Sequence, residues 1–400
     1  MRILQINTVY KIKSTGRTCF EVKEALAALG HEGFVAYGKG QHYDANTYRI
    51  GCDFDYYSHN VLSRLSGYQG YYSKSATKAL IEYIEEIKPN VIHLRNLHAN
   101  YLNLPILFNF LSRSKIPVIL NLHDCWSFTG KCTYYSEIGC NKWTTGCFQC
   151  PKVHEYPQSL YFDRTSQLYK DKKKWFSSIQ DLIVIGVSKW ISDQAKLSFL
   201  KEREILYIHN WINREVFFPR KENVRNLYGI ANNKFVIVGV SASWTKGTTR
   251  YEDFIRLAEI LDADMQIVLI GRADKSLINK NIKHIDYVNS TEELARLYSC
   301  ANVFVHLSTE DTFGKVIAEA MSCGIPAIGY KSTAIPEVIG NECGFVVEPR
   351  NIDAIYHCLQ KVKGHESGFF TEKCVNQTER LFDYKKNVRK LLEIYEHIAK

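Results

Sequence analysis

The residues best suited to chemistry are two carboxylates, Asp311 and Glu319, with seven residues between them in Leu307-Ser-Thr-Glu-Asp-Thr-Phe-Gly-Lys-Val-Ile-Ala-Glu-Ala-Met-Ser-Cys-Gly-Ile-Pro-Ala-Ile328. An apolar run ends at Leu307, an acidic loop follows, and Phe313-Gly314 opens a helix that Gly324-Ile-Pro326 stops. A helix start presents unsatisfied backbone N–H groups and the positive end of the helix dipole, and Gly314 lets an anion approach the backbone closely. Carboxylates such as Asp311 and Glu319 accept hydrogen bonds from sugar or ribose hydroxyls. Glu310, Thr312, Phe313 and Lys315 share the turn and are candidate contacts. The chemistry implied is the holding of a nucleoside diphosphate and an attached sugar.

Three further groups have residue types that suit the same ligand. Lys246-Gly247, after the run Val238–Val240, offers a cation on a turn, with Arg250 and Arg272 as additional cations; a solvated turn lysine is the plain alternative. His123 ends the run Val118–Leu122 and opens onto solvent where a hydrogen bond to a sugar is feasible. Ser14-Thr15-Gly16-Arg17 follows the first apolar run; it reads either as a capped helix start or as a phosphate or acceptor contact through Gly16 and Arg17.

The elements that must position these residues come in two series. Short apolar runs at Ile3–Asn7, Gly33–Tyr37, Val91–Leu94, Val118–Leu122 and Leu182–Val187 alternate with helical patterns such as Cys19–Leu29 and Ser75–Ile87. The pattern restarts with strands at Phe235–Val240, Gln266–Ile270, Val303–Leu307, Pro326–Gly329 and Gly344–Val347. Helices are expected there at Glu252–Leu261, Glu292–Ser299, Phe313–Cys323 and Ile352–Val362. Strand–helix alternation with short apolar strands implies parallel sheets covered on both faces. The expected class is α/β, with two doubly wound Rossmann-like domains facing a cleft, since open sheets of this kind bind ligands at their strand C-terminal ends. The expected divisions are 1–210, 211–380 and a final helix, 381–400, returning to the first domain; the whole tail from Thr371 reads as one helical pattern.

Length and composition agree. The 400 residues are 46% hydrophobic and 23% charged, with 23 Gly and 9 Pro, an ordinary globular composition long enough for two domains. No run of 18 apolar residues suggests a membrane span, and Gln5 and Asn7 interrupt the first apolar run, so a cytoplasmic protein is expected. The net charge of +9 reads as solvated helix faces or as attraction to anionic lipid or phosphate-bearing ligands. No nucleic-acid-binding module is recognisable.

Twelve cysteines are many for a reducing compartment. Five lie within Cys125–Cys150, and Cys147-Phe-Gln-Cys150 has knuckle spacing, which Cys132 and Cys140 could complete as a structural zinc site. Buried free thiols or a redox role are the alternatives.

The motif around Asp311 and Glu319 resembles that of the family-4 retaining glycosyltransferases, which have the two-domain GT-B fold. The resemblance implies that Glu319 holds the donor ribose, that Asp311 contacts the donor sugar, and that Lys246-Gly247 neutralises the diphosphate. It also implies that His123 contacts the sugar, that Gly16 and Arg17 lie by phosphate and acceptor, and that the loop holding Tyr287 meets the base. Two departures stand out: the first acid is Asp with Glu310 beside it, and an arginine usual before Lys-Gly is missing, its place open to Arg250 or Arg272. The strings His123-Asp-Cys-Trp126, Phe128-Thr-Gly130 and Lys142-Trp-Thr-Thr-Gly-Cys-Phe-Gln-Cys-Pro151 resemble a bacterial subgroup that builds capsule, O-antigen or colanic-acid-type exopolysaccharide.

The resemblance implies transfer of a sugar from a UDP- or GDP-sugar, without a metal cofactor, to an oligosaccharide or undecaprenyl-diphosphate-linked acceptor at the inner membrane surface. A nucleotide-sugar epimerase on the same fold and a non-catalytic binding protein are the competing readings.

Overall fold

The computed structural model describes residues 1–42, 44–273 and 281–399. The chain divides into two compact units, Met1–Ile208 with Val388–Lys400, and His209–Asn387.

The first unit is built on a seven-stranded parallel sheet: β1 (Arg2–Val9), β2 (Glu32–Lys39), β3 (Thr47–Arg49), β4 (Val91–Leu94), β5 (Val118–Leu122), β6 (Leu182–Gly186) and β7 (Glu204–Tyr207), in the order β3-β2-β1-β4-β5-β6-β7. The central strands β4 and β5 are buried at every residue, which is what helices on both faces require. The polar residues that interrupt β1 are tied down inside through their amide nitrogens: Gln5 Nε2 donates to the Cys19 carbonyl at 2.9 Å and Asn7 Nδ2 to the Val9 carbonyl at 2.7 Å.

The second unit repeats the plan with β8 (Phe235–Trp244), β9 (Met265–Ala273), β10 (Ile282–Ile285), β11 (Val303–His306), β12 (Ala327–Tyr330) and β13 (Gly344–Val347), ordered β10-β9-β8-β11-β12-β13 and parallel throughout. In each sheet the strand order reverses once, between β1 and β4 and between β8 and β11. The C-terminal ends of those strand pairs are where open α/β sheets bind ligands.

Three strands, β3, β7 and β10, lie outside the sequence expectation. Each is a short edge strand whose residues, Ile282 of β10 apart, are half-buried or exposed, so no run of buried apolar residues marks it. The first helix starts at Lys13 and not near Cys19, because the Lys11 amide donates to the Gly16 carbonyl at 3.0 Å and closes the turn early. The tail is two helices, Thr371–Leu381 and Tyr384–Ile398, and not one. The break is built: the Phe382 carbonyl accepts from the Ile212 amide at 2.7 Å, and Asp383 Oδ1 caps the second helix through the Lys386 amide at 3.0 Å. That helix belongs to the first unit from Val388 onward, and Tyr395 within it is fully buried, 2.5 Å from Nδ1 of buried His93.

Among the described residues no helix is long and apolar enough to cross a membrane.

Candidate active site

In the second unit the switch point is formed by the ends of β8 and β11. A bulge between Val240 and Ser243 interrupts the pairing of β8 with β9, which resumes at Ser243, and leaves Ala242 and Ser243 exposed. Lys246 and Gly247 follow on an exposed turn, with Gly247 at φ 84° and its amide bonded to Glu252 Oε1 at 2.8 Å. Arg250 sits in the first turn of the helix Thr249–Ile260 and reaches back: Nη1 donates to Ser241 Oγ and Nη2 to Ser308 Oγ, both at 2.8 Å. It thereby ties the ends of β8 and β11 together. Arg272, by contrast, is exposed at the end of β9, its guanidinium 5.5 Å from the Tyr287 ring. Of the two candidate cations, the structure brings Arg250 to the acidic loop and places Arg272 with Tyr287.

The acidic loop after β11 is stapled down. The Asp311 amide donates to Thr333 Oγ1 at 3.1 Å, the Ala334 amide to the Asp311 carbonyl at 3.3 Å, and Ser332 Oγ to the Thr309 carbonyl at 2.5 Å. Asp311 itself folds the turn that leads into the next helix, Lys315–Ser322. Its Oδ1 accepts from the Gly314 amide at 2.7 Å and the Phe313 amide at 3.3 Å, while Oδ2 lies 3.2 Å from Nε2 of buried His306. Burial would raise the Asp311 carboxyl, but the His306 contact and the two backbone donors outweigh it and hold the group ionised below its usual range. Burial pulls His306 down despite Asp311, so the pair is a neutral imidazole donating to a carboxylate. Both oxygens of Asp311 are therefore engaged in shaping the loop, and Glu310 lies half-buried beside it.

Gly314 is held at φ 75°, and a Cβ there would meet Ile317 Cδ1 at 2.9 Å, so the helix entry needs glycine on both counts. Phe313 is buried against Phe382, ring centroids 5.2 Å apart, and Thr312 is buried next to it; both are scaffold for the turn. Lys315 is half-buried at the first helical position. Glu319, 3% exposed, lies one turn further along the helix, where a carboxylate is retained only for a partner. A cavity of about 400 Å³ lined by Pro219, Arg220, Asn302 and Cys323 lies by the starts of the strands and contains none of these residues.

In the first unit the switch point carries a polar cluster of His123, Asn121 and Arg95. His123 is half-buried after β5, with Asn121 Nδ2 3.4 Å and Arg95 Nη1 3.5 Å from its Nε2. Arg95, 2% exposed at the end of β4, also donates from Nη1 to Thr18 Oγ1 at 2.9 Å. Arg95 was not among the sequence candidates; the signal was a charged residue directly after the four apolar positions of β4. Gly16 is buried in the first helical turn, where a Cβ would press on Val9, Tyr10 and Lys11 at 3.2 Å, and its role there is close packing of helix on strand end; Arg17 next to it is half-buried. Asp124 is occupied by His98 Nε2 at 2.8 Å and the Trp126 amide at 2.9 Å.

The zinc site expected at Cys132, Cys140, Cys147 and Cys150 is not formed: among the described residues no group of three or more His, Cys, Asp or Glu side chains could hold a metal. Burial pushes the Cys132 thiol up to about 12 and Cys147 up to about 11, and Cys147 Sγ already accepts the Gly130 amide at 3.1 Å. The insertion is ordered instead by an aromatic cluster, Trp143 against Phe128 at 5.2 Å and Tyr135 at 4.7 Å, and by buried Lys172. The Nζ of Lys172 donates to the carbonyls of Trp126 at 2.6 Å and Thr129 at 3.1 Å. Two Asp-x-Asp triplets, Asp53–Asp55 and Asp262–Asp264, are likewise engaged: Asp53 with Arg49, Asp55 with the Cys52 amide, and Asp262 and Asp264 with Lys363.

Comparison with known proteins gives the same picture. Residues 15–216, more than half of the chain, match the family described as Glycosyltransferase Family 4, and residues 188–381 match Glycosyl transferases group 1. Among curated relatives, a colanic acid biosynthesis glycosyl transferase of Escherichia coli K12, WcaC, is 26% identical over 66% of this chain and 65% of its own length. The N-acetyl-alpha-D-glucosaminyl L-malate synthase of Bacillus anthracis is 24% identical over 52% of this chain and 61% of its own length. The chain thus spans a little under two thirds of these relatives. An O-antigen chain mannosyltransferase B of Escherichia coli is 42% identical over 20% of this chain and 21% of its own. Among solved structures, the sucrose-phosphate synthase of Thermosynechococcus elongatus superposes with a TM-score of 0.73 at 14% identity, covering 100% of this chain and 99% of that one. Anabaena HepE, in complex with UDP and glucose, gives 0.68 at 14%, covering 99% and 100%. These likenesses establish the two-Rossmann-domain GT-B fold. With its double switch-point architecture and the Asp311–Glu319 motif set on the second of them, the chain belongs to glycosyltransferase family 4.

Proposed function

We propose that the protein is a retaining glycosyltransferase that moves a sugar from a UDP- or GDP-sugar to a lipid-linked oligosaccharide during synthesis of a bacterial surface polysaccharide. The observation that carries this reading is the β8–β11 switch point, where Arg250, the Lys246 turn and the Gly314 helix entry converge around a loop with two acids. Cations and a helix N-terminus suit a diphosphate leaving group and stabilise the charge that grows on it as the sugar departs. Glu319 is assigned to the ribose hydroxyls and Glu310, with Asp311 shaping its loop, to the sugar hydroxyls. In the first unit His123 is assigned a hydrogen bond to a sugar hydroxyl. A carboxylate nucleophile suited to double displacement is not apparent among these groups, so the leaving phosphate is the natural acceptor of the incoming hydroxyl's proton. Relatives named for colanic acid and O-antigen support the pathway class, and the UDP-bound neighbour supports a nucleotide-sugar donor.

The test is a donor screen: incubate the protein with UDP- and GDP-sugars and measure release of UDP or GDP with and without acceptor glycolipid. Acceptor-dependent release from one donor, abolished by Glu319→Ala, is expected. Isomerised nucleotide sugar without acceptor would support an epimerase instead. Unaltered turnover in Glu319→Ala would remove that residue from the site.

A further inference from the structure

The helix Asp53–Ser66 is inverted. It buries its polar side and exposes its apolar one. Phe54, Tyr57, Val61, Leu62 and Leu65 are between 42% and 79% exposed. At 3.6 residues per turn these five fall within an arc of about 140°. The opposite side carries His59 and Ser63, both buried. His59 Nδ1 lies 2.8 Å from Ser73 Oγ and its Nε2 accepts the Gly70 amide at 3.3 Å, while Ser63 Oγ donates to Asn100 Oδ1 at 3.1 Å. Polar bonds, not an apolar core, therefore fix the helix to the unit and leave its hydrophobic stripe facing out.

The stripe continues beyond the helix. The Leu160 amide donates to the Arg64 carbonyl at 2.8 Å, which brings the exposed run Leu160, Tyr161 and Phe162 alongside the helix C-terminus. Contiguous apolar surface of this kind marks a docking site.

The charges beside the stripe select what docks. The acids are already occupied: Asp53 pairs with Arg49, Asp55 accepts the Cys52 amide, and Asp163 accepts the Cys150 amide and Thr165. Three cations stand without an ion pair among the described residues. Arg64 is exposed on the helix itself, Lys39 lies 4.8 Å from the Tyr56 ring, and Arg164 lies 5.0 Å from the Tyr68 and Phe162 rings. The chain as a whole carries +9. Apolar and aromatic side chains backed by unpaired cations complement an anionic lipid surface, with rings at headgroup depth and cations on the phosphates. A stripe one helix wide and about 21 Å long is narrow for a protein interface, which needs about 800 Å² from each partner.

We infer that the helix Asp53–Ser66 and the loop 160–162 form the face by which this protein docks on an anionic lipid bilayer. The inference rests on the lipid-linked acceptor proposed above and adds the surface that brings the enzyme to it.

The experiment is flotation of the full chain with vesicles of phosphatidylcholine alone or mixed with phosphatidylglycerol. The protein should float with the mixed vesicles and not with the neutral ones, and higher salt should release it. The triple variant Phe54→Ser, Val61→Ser, Leu65→Ser, substituted only at exposed positions, should keep its circular dichroism and melting point and lose at least ~10-fold in vesicle binding. Arg64→Glu should weaken binding further at low salt. Equal flotation of the triple variant, or failure of the parent to float, overturns the inference. So does a parent dimer in light scattering that the triple variant dissolves, which would assign the stripe to a second copy. Donor turnover on a water-soluble acceptor, measured without vesicles, should be unchanged in the triple variant. If no donor is turned over at all, the proposed transferase reading fails while the flotation result stands by itself.

Discussion

Asp311 Oδ2 lies 3.2 Å from Nε2 of the buried His306, and the other oxygen of the same carboxylate accepts the Gly314 amide at 2.7 Å in the turn before the helix. One short side chain thus joins the end of β11 to the helix that follows it. An aspartate reaches these partners where a longer glutamate would overshoot, which accounts for the Asp at this position, while Glu310 is the acid proposed for the sugar hydroxyls.

The division of labour is testable. Asp311→Ala should lower folding stability by about 1–2 kcal/mol, the loss of the turn's two backbone bonds together with the partner of a buried histidine. Glu310→Gln should leave stability within about 0.5 kcal/mol and reduce kcat at least ~10-fold with the best donor, the loss of a contact strengthened in the transition state. Urea denaturation and steady-state kinetics on both variants decide; a stable but inactive Asp311→Ala with a fully active Glu310→Gln would reverse the assignment.

Arg250 offers a second comparison. Because it bridges Ser241 and Ser308 at the switch point, Arg250→Ala should cost ~100-fold in kcat/KM, near the value of one charge-stabilising donor, about 2.7 kcal/mol. Arg250→Lys should recover part of it. Arg272→Ala, removing an exposed side chain stacked near Tyr287, should change kcat/KM only about 3-fold and act mainly through KM. Equal losses in the two alanine variants would argue against Arg250 as the stand-in for the missing arginine.

What the sequence made legible follows burial. β4 and β5 are apolar at nearly every position because both faces are covered, and the helix at Gly314 is framed by Gly and Pro, so these were readable from residue types alone. β3, β7 and β10 were not, because an edge strand with one open side has no pattern to show. The break at Phe382–Asp383 was hidden because the apolar spacing runs through it, and what stops the helix is a backbone bond from Ile212, distant in the chain. The partners of Arg250 and the environment of Cys132 and Cys147 depend on which strand ends and which lysine the fold brings near. Cysteine spacing alone could suggest a metal but not the aromatic cluster that takes its place.

Lys172 makes the insertion sensitive to pH. Burial pulls its amine from 10.5 down to about 7, although the Cys147 and Cys132 thiols nearby act the other way. Above pH 7 the unfolded chain holds a proton at this position that the folded chain has lost, so stability rises with pH there. Lys131, pulled to about 8 by burial, adds to the effect. Above about pH 9 the rise levels off, since buried Cys132 and Cys147 keep protons that unfolded thiols release. Urea unfolding at pH 6.5, 7.5 and 8.5 should therefore show increasing stability, by at most about 1.4 kcal/mol per pH unit for each group. Lys172→Met should flatten the slope to the part owed to Lys131. A parent whose stability is level across this range would contradict the buried, uncharged amine.

His59 sets the opposite limit, on the acid side, and it does so in the docking helix. Burial pulls its imidazole from 6.5 to about 4. Its ring is neutral in place, Nδ1–H toward Ser73 Oγ and Nε2 accepting from the Gly70 amide. Its contribution is fully present above pH 6.5. Between 6.5 and 4 the unfolded chain gains a proton that the folded chain cannot take, and stability falls as pH falls. His93, buried and held neutral by desolvation with Arg95 and His123 nearby, loses stability in the same direction. Melting points should therefore drop between pH 7 and pH 5, and the amides of residues 53–66 should exchange faster at the lower pH, because His59 is one of the few bonds fixing that helix to the unit. His59→Gln should be less stable than the parent at pH 7 and show a shallower loss on acidification. A parent equally stable at pH 5 and pH 7, with unchanged exchange in 53–66, would show that His59 is not the anchor of the helix.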